Sequence, residues 1–311
     1  MLDQKIIPME PVPHPEPFDS EEHLFQVKWD GVRMLAFVDH GQVRLQNRRQ
    51  RDRTTQYPEL QALTDLISGP TAILDGEVVA FHQGRVSFPS VLRRDQANRP
   101  EYIALLMEQM PVTYILFDLL YLDGKDLTGQ PLLERHSLLA DILSPHPQIV
   151  TTDNFTSGTA LFTTIKAQEL EGMVAKVKNS PYLPGKNHHH WLKIKLRQQQ
   201  LCVVGGYTTR GSLPNALLVG AFDETGLRYL GRVGSGLSQQ QSIALSRSLP
   251  ELHQTRSPFV NPPQLPTGSF HWVIPVLTLM VEFAEWTPEM HLRAPVVKGF
   301  TVVPPEQCVL Y

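Results

Sequence analysis

The sequence predicts an α+β protein of two domains: residues 1–197 form a larger domain built on antiparallel sheets, and residues 198–311 form a smaller, β-rich one. Three observations carry this expectation. A chain of 311 residues is long enough for two separate cores. From Leu24 onward, apolar runs of strand length are broken by glycine-containing turn signals, and only a few stretches show helical periodicity. After Leu196 the composition shifts toward glycine-rich strand segments and prolines.

Residues 1–20 are proline-rich and are expected to run extended over the surface. Residues 24–29 and 32–38 alternate as strands, and Asp30-Gly31 between them predicts a hairpin with Lys28 and Asp30 on one face. Further turns are expected at DHG (39–41), DG (75–76), HQG (82–84) and LDG (122–124). Helices are expected over 57–67, from the spacing of Leu60, Leu63 and Leu66, over 131–143, which opens on a proline, and over 161–170. In the second domain CVVGGY, ALLVGAF and LRYLGRVG read as strands. A polar helix follows near 238–249, then the proline-rich TRSPFVNPPQLPTG. Its size suits a decorated five-stranded barrel, a type that often binds nucleic acid.

Composition narrows the class. A 41% hydrophobic and 19% charged chain is ordinary for a globular protein, and its apolar stretches are too short for a membrane helix. The start, MLDQKIIPMEPVPHPEP, lacks the basic and apolar regions of a signal peptide, so the expected location is the cytoplasm. Cys202 and Cys308 lack paired zinc-ligand spacing and are expected to be buried thiols. His188, His189 and His190 are expected in a loop, since regular strand alternation would prevent all three from ligating one ion. The net charge of −3 excludes a generally basic surface but not a basic groove. The cations cluster at RRQRDR (48–53), at Arg93-Arg94 and from Lys176 to Arg197.

Six stretches set charged residues inside apolar strands: FQVKWDGVR (Lys28, Arg33), LQNRRQRD (Arg48), TAILDGEVVAF (Glu77), YILFDLLYLDG (Phe117, Asp118), LEGMVAKVKNSPYLPGK (Glu171, Lys176) and WLKIK (Lys193, Lys195). Together they suit one kind of site. A lysine nucleophile needs its amine pKa lowered, and Lys176, Lys193 and Lys195 are candidate cationic neighbours that would also neutralise a triphosphate. Glu77 and Glu171 are hard oxygen ligands of the kind that hold Mg²⁺ with phosphates, and Phe117 offers a surface on which a purine could stack.

In order, K-W-D-G-V-R, L-D-G-E, F-D-L-L, E-G-M-V-A-K and W-L-K-I-K resemble the nucleotidyltransferase motifs of ATP-dependent DNA ligases. The resemblance covers roughly residues 5–300 and is strongest to the ligase domain of bacterial end-joining (LigD-type) ligases, in the run from Glu171 to Lys195. It implies an adenylation domain over 1–197, an OB-fold domain over 198–311, and sealing of 5′-phosphate/3′-hydroxyl breaks in duplex DNA during repair or end joining. It also implies ATP and Mg²⁺ (or Mn²⁺) as cofactors and nicked or broken DNA as partner; the acidic balance suggests an end-binding protein as a further partner, and no feature of the sequence suggests more than a monomer. In the family's roles Lys28 becomes lysyl-AMP, and Gln26, Asp30, Gly31, Arg33, Arg48, Glu77, Phe117, Lys176, Lys193 and Lys195 bind ATP, with Glu77 and Glu171 serving the metal. Gln26 stands where the family often has Glu, but its carbonyl can still accept the adenine amino group. The family's R-x-D-K-like motif is missing after HLRAPVVKGF, which leaves Arg293 and Lys298 as candidates to orient pyrophosphate. Two alternatives remain open from the residues: an RNA ligase or capping-type nucleotidyltransferase, and a nucleic-acid-binding protein whose catalysis is impaired.

Overall fold

The structure, a computed structural model, describes residues 1–210, 213–264 and 270–310; the end of the proline-rich segment, 265–269, lies outside them. The chain divides into two compact units, Met1–Leu196 and Arg197–Tyr311.

The strands of the first unit are β1 (Glu10–Pro13), β2 (His23–Val27), β3 (Val32–Asp39), β4 (Gln42–Asn47), β5 (Thr71–His82), β6 (Arg85–Val86), β7 (Val112–Leu122), β8 (Lys125–Asp126), β9 (Ile149–Thr151), β10 (Gly172–Val177) and β11 (Asn187–Lys195). Its helices are α1 (Leu63–Leu66), α2 (Phe88–Asp95), α3 (Pro100–Gln109), α4 (Leu132–Ile142) and α5 (Gly158–Ala167). They build two sheets, one ordered β4-β3-β5-β7-β8 with β6 and β9 at its margins, the other β1-β11-β10-β2. Pairing is antiparallel except for β1 with β11 and β7 with β9. Alternation along β3 distributes its side chains. Met34, Ala36 and Val38 enter a core with Tyr57, Leu60 and Leu139, while Leu35 and Phe37 face Trp191 and Tyr182. α5 covers the outer side of β2, β10 and β11 through Leu161 and Ile165, packed on Phe25 and Met173.

Two expectations fail for the same reason. β2 and β3 are not a hairpin: β2 pairs with β10, and β3 pairs with β4 and β5. Residues 28–31 therefore cross from one sheet to the other, and β2 ends at Val27, so Lys28 leaves the strand. Gly31 serves contact rather than a turn, because a Cβ there would stand 2.3 Å from the Val78 carbonyl oxygen. Likewise Asp75-Gly76 is not a turn but the middle of β5, where a Cβ on Gly76 would lie 2.6 Å from the Ile115 carbonyl oxygen. The other three signals do form turns, with His40, Gln83 and Asp123 in left-handed conformation before glycines.

The helices over 132–142 and 158–167 match expectation, whereas the 57–67 stretch breaks into a 3₁₀ turn (Pro58–Ala62) and the single turn α1. α2 and α3 were not anticipated; α2 starts at Ser87, whose hydroxyl accepts the Ser90 N–H.

The second unit holds β12 (Gln198–Arg210), β13 (Leu213–Asp223), β14 (Gly226–Val233), α6 (Gln239–Ser248), β15 (His253–Gln254), β16 (Phe270–Val273), β17 (Thr278–Phe283) and β18 (Val296–Thr301). β12 pairs with β17 through its first half and with β16 through its second, curling the sheet around Val204, Val219, Leu279 and Phe283. α6 opens with a capping box between Ser238 and Gln241. Cys202 and Cys308 are free and buried.

Gly76→Ala is expected to lower unfolding free energy by about 1–3 kcal/mol by overpacking against backbone that cannot move aside, measured by urea denaturation. Gly84→Ala, with nothing within 4 Å, supplies the comparison in which only turn strain is paid.

Candidate active site

The crossing at residues 28–31 opens one wall of a cavity of about 680 Å³ within the first unit. Gln26, Lys28, Asp30, Gly31, Arg33, Arg48, Glu77, Phe117, Lys176, Lys193 and Lys195 all line it, so the structure brings every expected nucleotide contact into one space. Arg49, Arg51 and Arg53 add positive charge to its lining.

Lys28 is anchored through its backbone N–H, which donates to the Gly172 carbonyl at 2.8 Å. Its Nζ meets Glu171 Oε2 at 2.6 Å, and Lys195 Nζ meets Glu171 Oε1 at 2.6 Å. The register explains the pairing: Gly172 opposes Lys195 across β10 and β11, placing Glu171 and Lys195 side by side. A carboxylate thus stands between two cations that the sequence suggested would act on one another directly. Lys193, two residues along the same face, has its pKa lowered by desolvation and by Lys195 and Lys28 beyond it, while Glu10 opposes the shift.

Lys176 sits deeper, with its Nζ 4.1 Å from the Trp191 ring centre and 4.4 Å from that of Phe117. Burial lowers its pKa to about 7, against the pull of Asp118, with the Arg33 charge adding to the fall. Phe117 also carries the Arg33 guanidinium 4.4 Å over its ring, so two cations already share the expected stacking surface.

Arg33 donates from Nε and Nη2 to the two oxygens of Asp75, each at 2.6 Å, and Asp75 accepts the Tyr182 hydroxyl at 2.6 Å as well. Burial opposes the Arg33 charge, but the Asp75 carboxylate more than reverses this and raises its pKa. Glu77 lies opposite Arg33 on β5 and goes the other way. Burial pushes its pKa to about 8, with Glu171 adding to the rise against Arg33 and Lys28. Arg48 is held at the mouth by Glu10, 2.6 Å away, and is two-thirds exposed.

Several residues of the site were missed. Asp75 was read as a turn residue although it falls in the L-D-G-E motif, Tyr182 lies in the quoted SPYLPG stretch without a role assigned to it, and nothing in the sequence marks Asn154 or His136, which reach the site through folding alone. Gln26 donates its Nε2 to Asn154 Oδ1 at 2.7 Å, Asn154 Nδ2 lies 3.0 Å from His136 Nδ1, and His136 Nε2 lies 2.6 Å from the Phe117 carbonyl.

The His188–His190 triplet is not in a loop but at the start of β11. β1 pairs Pro11 with His188 and then Val12 with Leu192, so the intervening residues bulge and alternation is lost. One ligand nitrogen from each ring falls within 4.8 Å of the others. His188 Nδ1, however, accepts the His190 N–H at 3.2 Å, which leaves the ring proton on Nε2, so this arrangement offers fewer than three free lone pairs.

Arg293 and Lys298 belong to the second unit, where Arg293 pairs with Glu285, and Lys298 lies 3.4 Å from Glu282.

Comparison with known proteins identifies the family. The family model described as the ATP dependent DNA ligase domain matches residues 14–195. This chain belongs to the ATP-dependent DNA ligase family. The model of the ligase C-terminal region matches residues 210–301, so the curled second unit is the OB-fold that follows the nucleotidyltransferase domain in these ligases. The multifunctional non-homologous end joining DNA repair protein LigD of Mycobacterium tuberculosis is 35% identical over 284 residues, covering 88% of this chain and 35% of LigD. The chain thus spans about a third of the length of that relative. The crystal structure of the M. tuberculosis LigD ligase domain aligns with a TM-score of 0.55 at 32% identity, covering 98% of each chain. A mycobacterial DNA ligase D complexed with ATP and MES gives the same figures.

The raised Glu77 pKa has a consequence for stability. Between pH 4.5 and about 8 the folded state holds a proton that the unfolded chain has released, so stability contributed by this group falls as pH rises through that window. Glu77→Gln is expected to gain stability relative to the parent as pH goes from 5 to 8, read as a growing Tm difference; a constant difference would contradict a carboxyl whose pKa the fold raises.

Proposed function

We propose that this chain is the ligase module of a DNA end-joining or repair enzyme, with residues 1–197 as adenylation domain and 198–311 as OB-fold domain, sealing 5′-phosphate/3′-hydroxyl breaks in duplex DNA with ATP. The observation that carries the reading is the placement of Lys28 Nζ, in a cavity with Lys193 and Lys195, on a carboxylate it can leave. In this reading the Lys28 amine attacks the α-phosphate of ATP, a phosphoramidate P–N bond forms, and the bond to pyrophosphate breaks. The AMP then moves to the 5′-phosphate of the break, and the 3′-hydroxyl displaces it to form the phosphodiester. Phosphoryl transfer of this kind depends on positioning and on neutralising charge, for which Lys193, Lys195 and the arginines of the cavity are placed.

The Lys28 amine must lose a proton before Nζ can attack, because an ammonium has no lone pair with which to form the P–N bond, and it must turn from Glu171 Oε2, 2.6 Å away, toward the phosphate. Glu171 is released once Lys195 has exchanged it for a phosphate as well. Glu77 and Glu171 would then hold Mg²⁺ or Mn²⁺, and they fit such an ion: both are hard oxygen donors, and the Glu171 charge is near enough to raise the pKa of Glu77. A bound cation there would neutralise phosphate charge. Gln26 and Phe117 take the base, Arg33 and Arg48 the ribose or phosphates, and Arg293 and Lys298 stand in for the missing R-x-D-K motif. Duplex DNA with nicks or ends is the partner, an end-binding protein would supply grip that an acidic chain of net charge −3 lacks, and the protein acts as a cytoplasmic monomer. No helix among the described residues is long and apolar enough to cross a membrane.

Incubation with ATP or GTP labelled on the α-phosphate, followed by denaturing electrophoresis, tests the reading. ATP-derived label is expected on the parent protein and not on Lys28→Ala; label from GTP alone would instead favour capping chemistry. Because the pyrophosphate-orienting motif is replaced, self-adenylylation is expected to run slower than sealing of a nick already carrying AMP. Equal single-turnover rates for the two steps would refute that assignment.

A further inference from the structure

The Gln26 amide has two faces of opposite polarity, and a cavity that selects among purines has to present only one of them. The chain of bonds behind Gln26 determines which. It begins at the Phe117 backbone carbonyl, which can only accept, so His136 Nε2 at 2.6 Å must carry a proton. A neutral imidazole then has its lone pair on Nδ1, and Asn154, 3.0 Å away, must turn its NH₂ toward it. That places Asn154 Oδ1 toward Gln26, whose Nε2 donates to it at 2.7 Å. The carbonyl oxygen is the amide atom that Gln26 has left for a ligand in the cavity it lines. Reversing any one amide would set donor against donor or acceptor against acceptor at the next link, so only one polarity closes.

We propose that Asn154 and His136 are positioning residues that lock the Gln26 amide with its carbonyl toward the cavity, so that the site accepts a nucleotide with a 6-amino purine and rejects a 6-oxo one. The inference rests on the reading of this cavity as a nucleotide site. A 6-amino group donates to the remaining amide oxygen, whereas the 6-oxo group of guanine would face it as a second acceptor and leave both unpaired. The lock needs His136 neutral. Burial, reinforced by the Lys176 charge, lowers its pKa to about 4, against the pull of Asp118 and the bond to Phe117. A glutamate at position 26 would need no such lock, since both its oxygens accept. Asn154 would then have to turn its NH₂ toward the carboxylate, and His136, facing acceptors on both sides, would hold two protons.

The decisive measurement is the ratio of adenylylation to guanylylation efficiency for the full chain and for Asn154→Leu, Gln26→Glu and the double variant. Asn154→Leu frees Gln26 to rotate and is expected to cut the preference for ATP over GTP about tenfold, whereas adding it to Gln26→Glu should leave the preference of that variant unchanged. Equal losses with both nucleotides, or the same loss of preference in the Gln26→Glu background, would mean that Asn154 only supports the fold and would overturn the proposal. Nitrogen-15 NMR of the His136 ring tests the lock without nucleotide. The expected spectrum is the Nε2–H tautomer, neutral from pH 5.5 to 8, with a second ring proton gained in Gln26→Glu. An Nδ1–H tautomer or an ordinary titration would overturn the lock even if ATP labels the protein. The expected tautomer in a protein that no nucleotide labels would instead refute the nucleotide-site reading and leave the amide geometry standing.

Discussion

The bidentate bond between Arg33 and Asp75 is the constraint on which the rest of the site depends. Asp75 is fully buried, and its oxygens meet Arg33 from β3 and the Tyr182 hydroxyl from the segment before β11. Tyr182 in turn accepts the Met9 N–H, which ties the approach to β1 into the same centre. One carboxylate therefore joins both sheets. Such a pair is costly to desolvate, and it is retained where its geometry is satisfied on every side. Its return here is positional: Arg33 is held above Phe117, and Glu77, its neighbour across the ladder, is held beside the Lys28–Glu171 pair.

Around this fixed centre the remaining charges are arranged to be released. Lys28 and Lys195 share Glu171, and Arg48 rests on Glu10 at the mouth of the cavity. These pairs are partly exposed, so each is weak and can be exchanged for a phosphate at little cost, unlike the buried Arg135–Asp118 bond. The buried pairs thus fix the frame of the cavity, and the exchangeable pairs stand at its more open edge. Lys176 belongs to neither class. It is held by aromatic faces and by the Phe117 carbonyl, and burial lowers its pKa despite them.

The amides and imidazole behind Gln26 show how a backbone atom can set chemistry several bonds away. A carbonyl of β7 has no choice of polarity, and each group placed against it inherits that constraint until it reaches the cavity. None of this can be inferred from spacing, because Gln26, His136, Phe117 and Asn154 come from β2, α4, β7 and the loop after β9.

The sequence by itself determined the class of fold, most turns, and the residue types of the cavity, because charged residues within apolar strands are expensive and their presence in several strands points to one shared site. It misread Asp30-Gly31 and Asp75-Gly76 as turns, since a dipeptide that favours a hairpin is identical in composition to one whose missing Cβ lets two strands touch. It also placed the histidine triplet in a loop because period-two alternation presumes a regular ladder, which the bulge at β11 breaks. Only the tertiary structure decided that Lys28 lies at a crossing between two sheets, that a carboxylate rather than an ammonium meets it, and that Asp75 and Asn154 are part of the site. Pairing partners and hydrogen-bond polarity depend on contacts between residues distant in the chain, and local pattern carries no record of them.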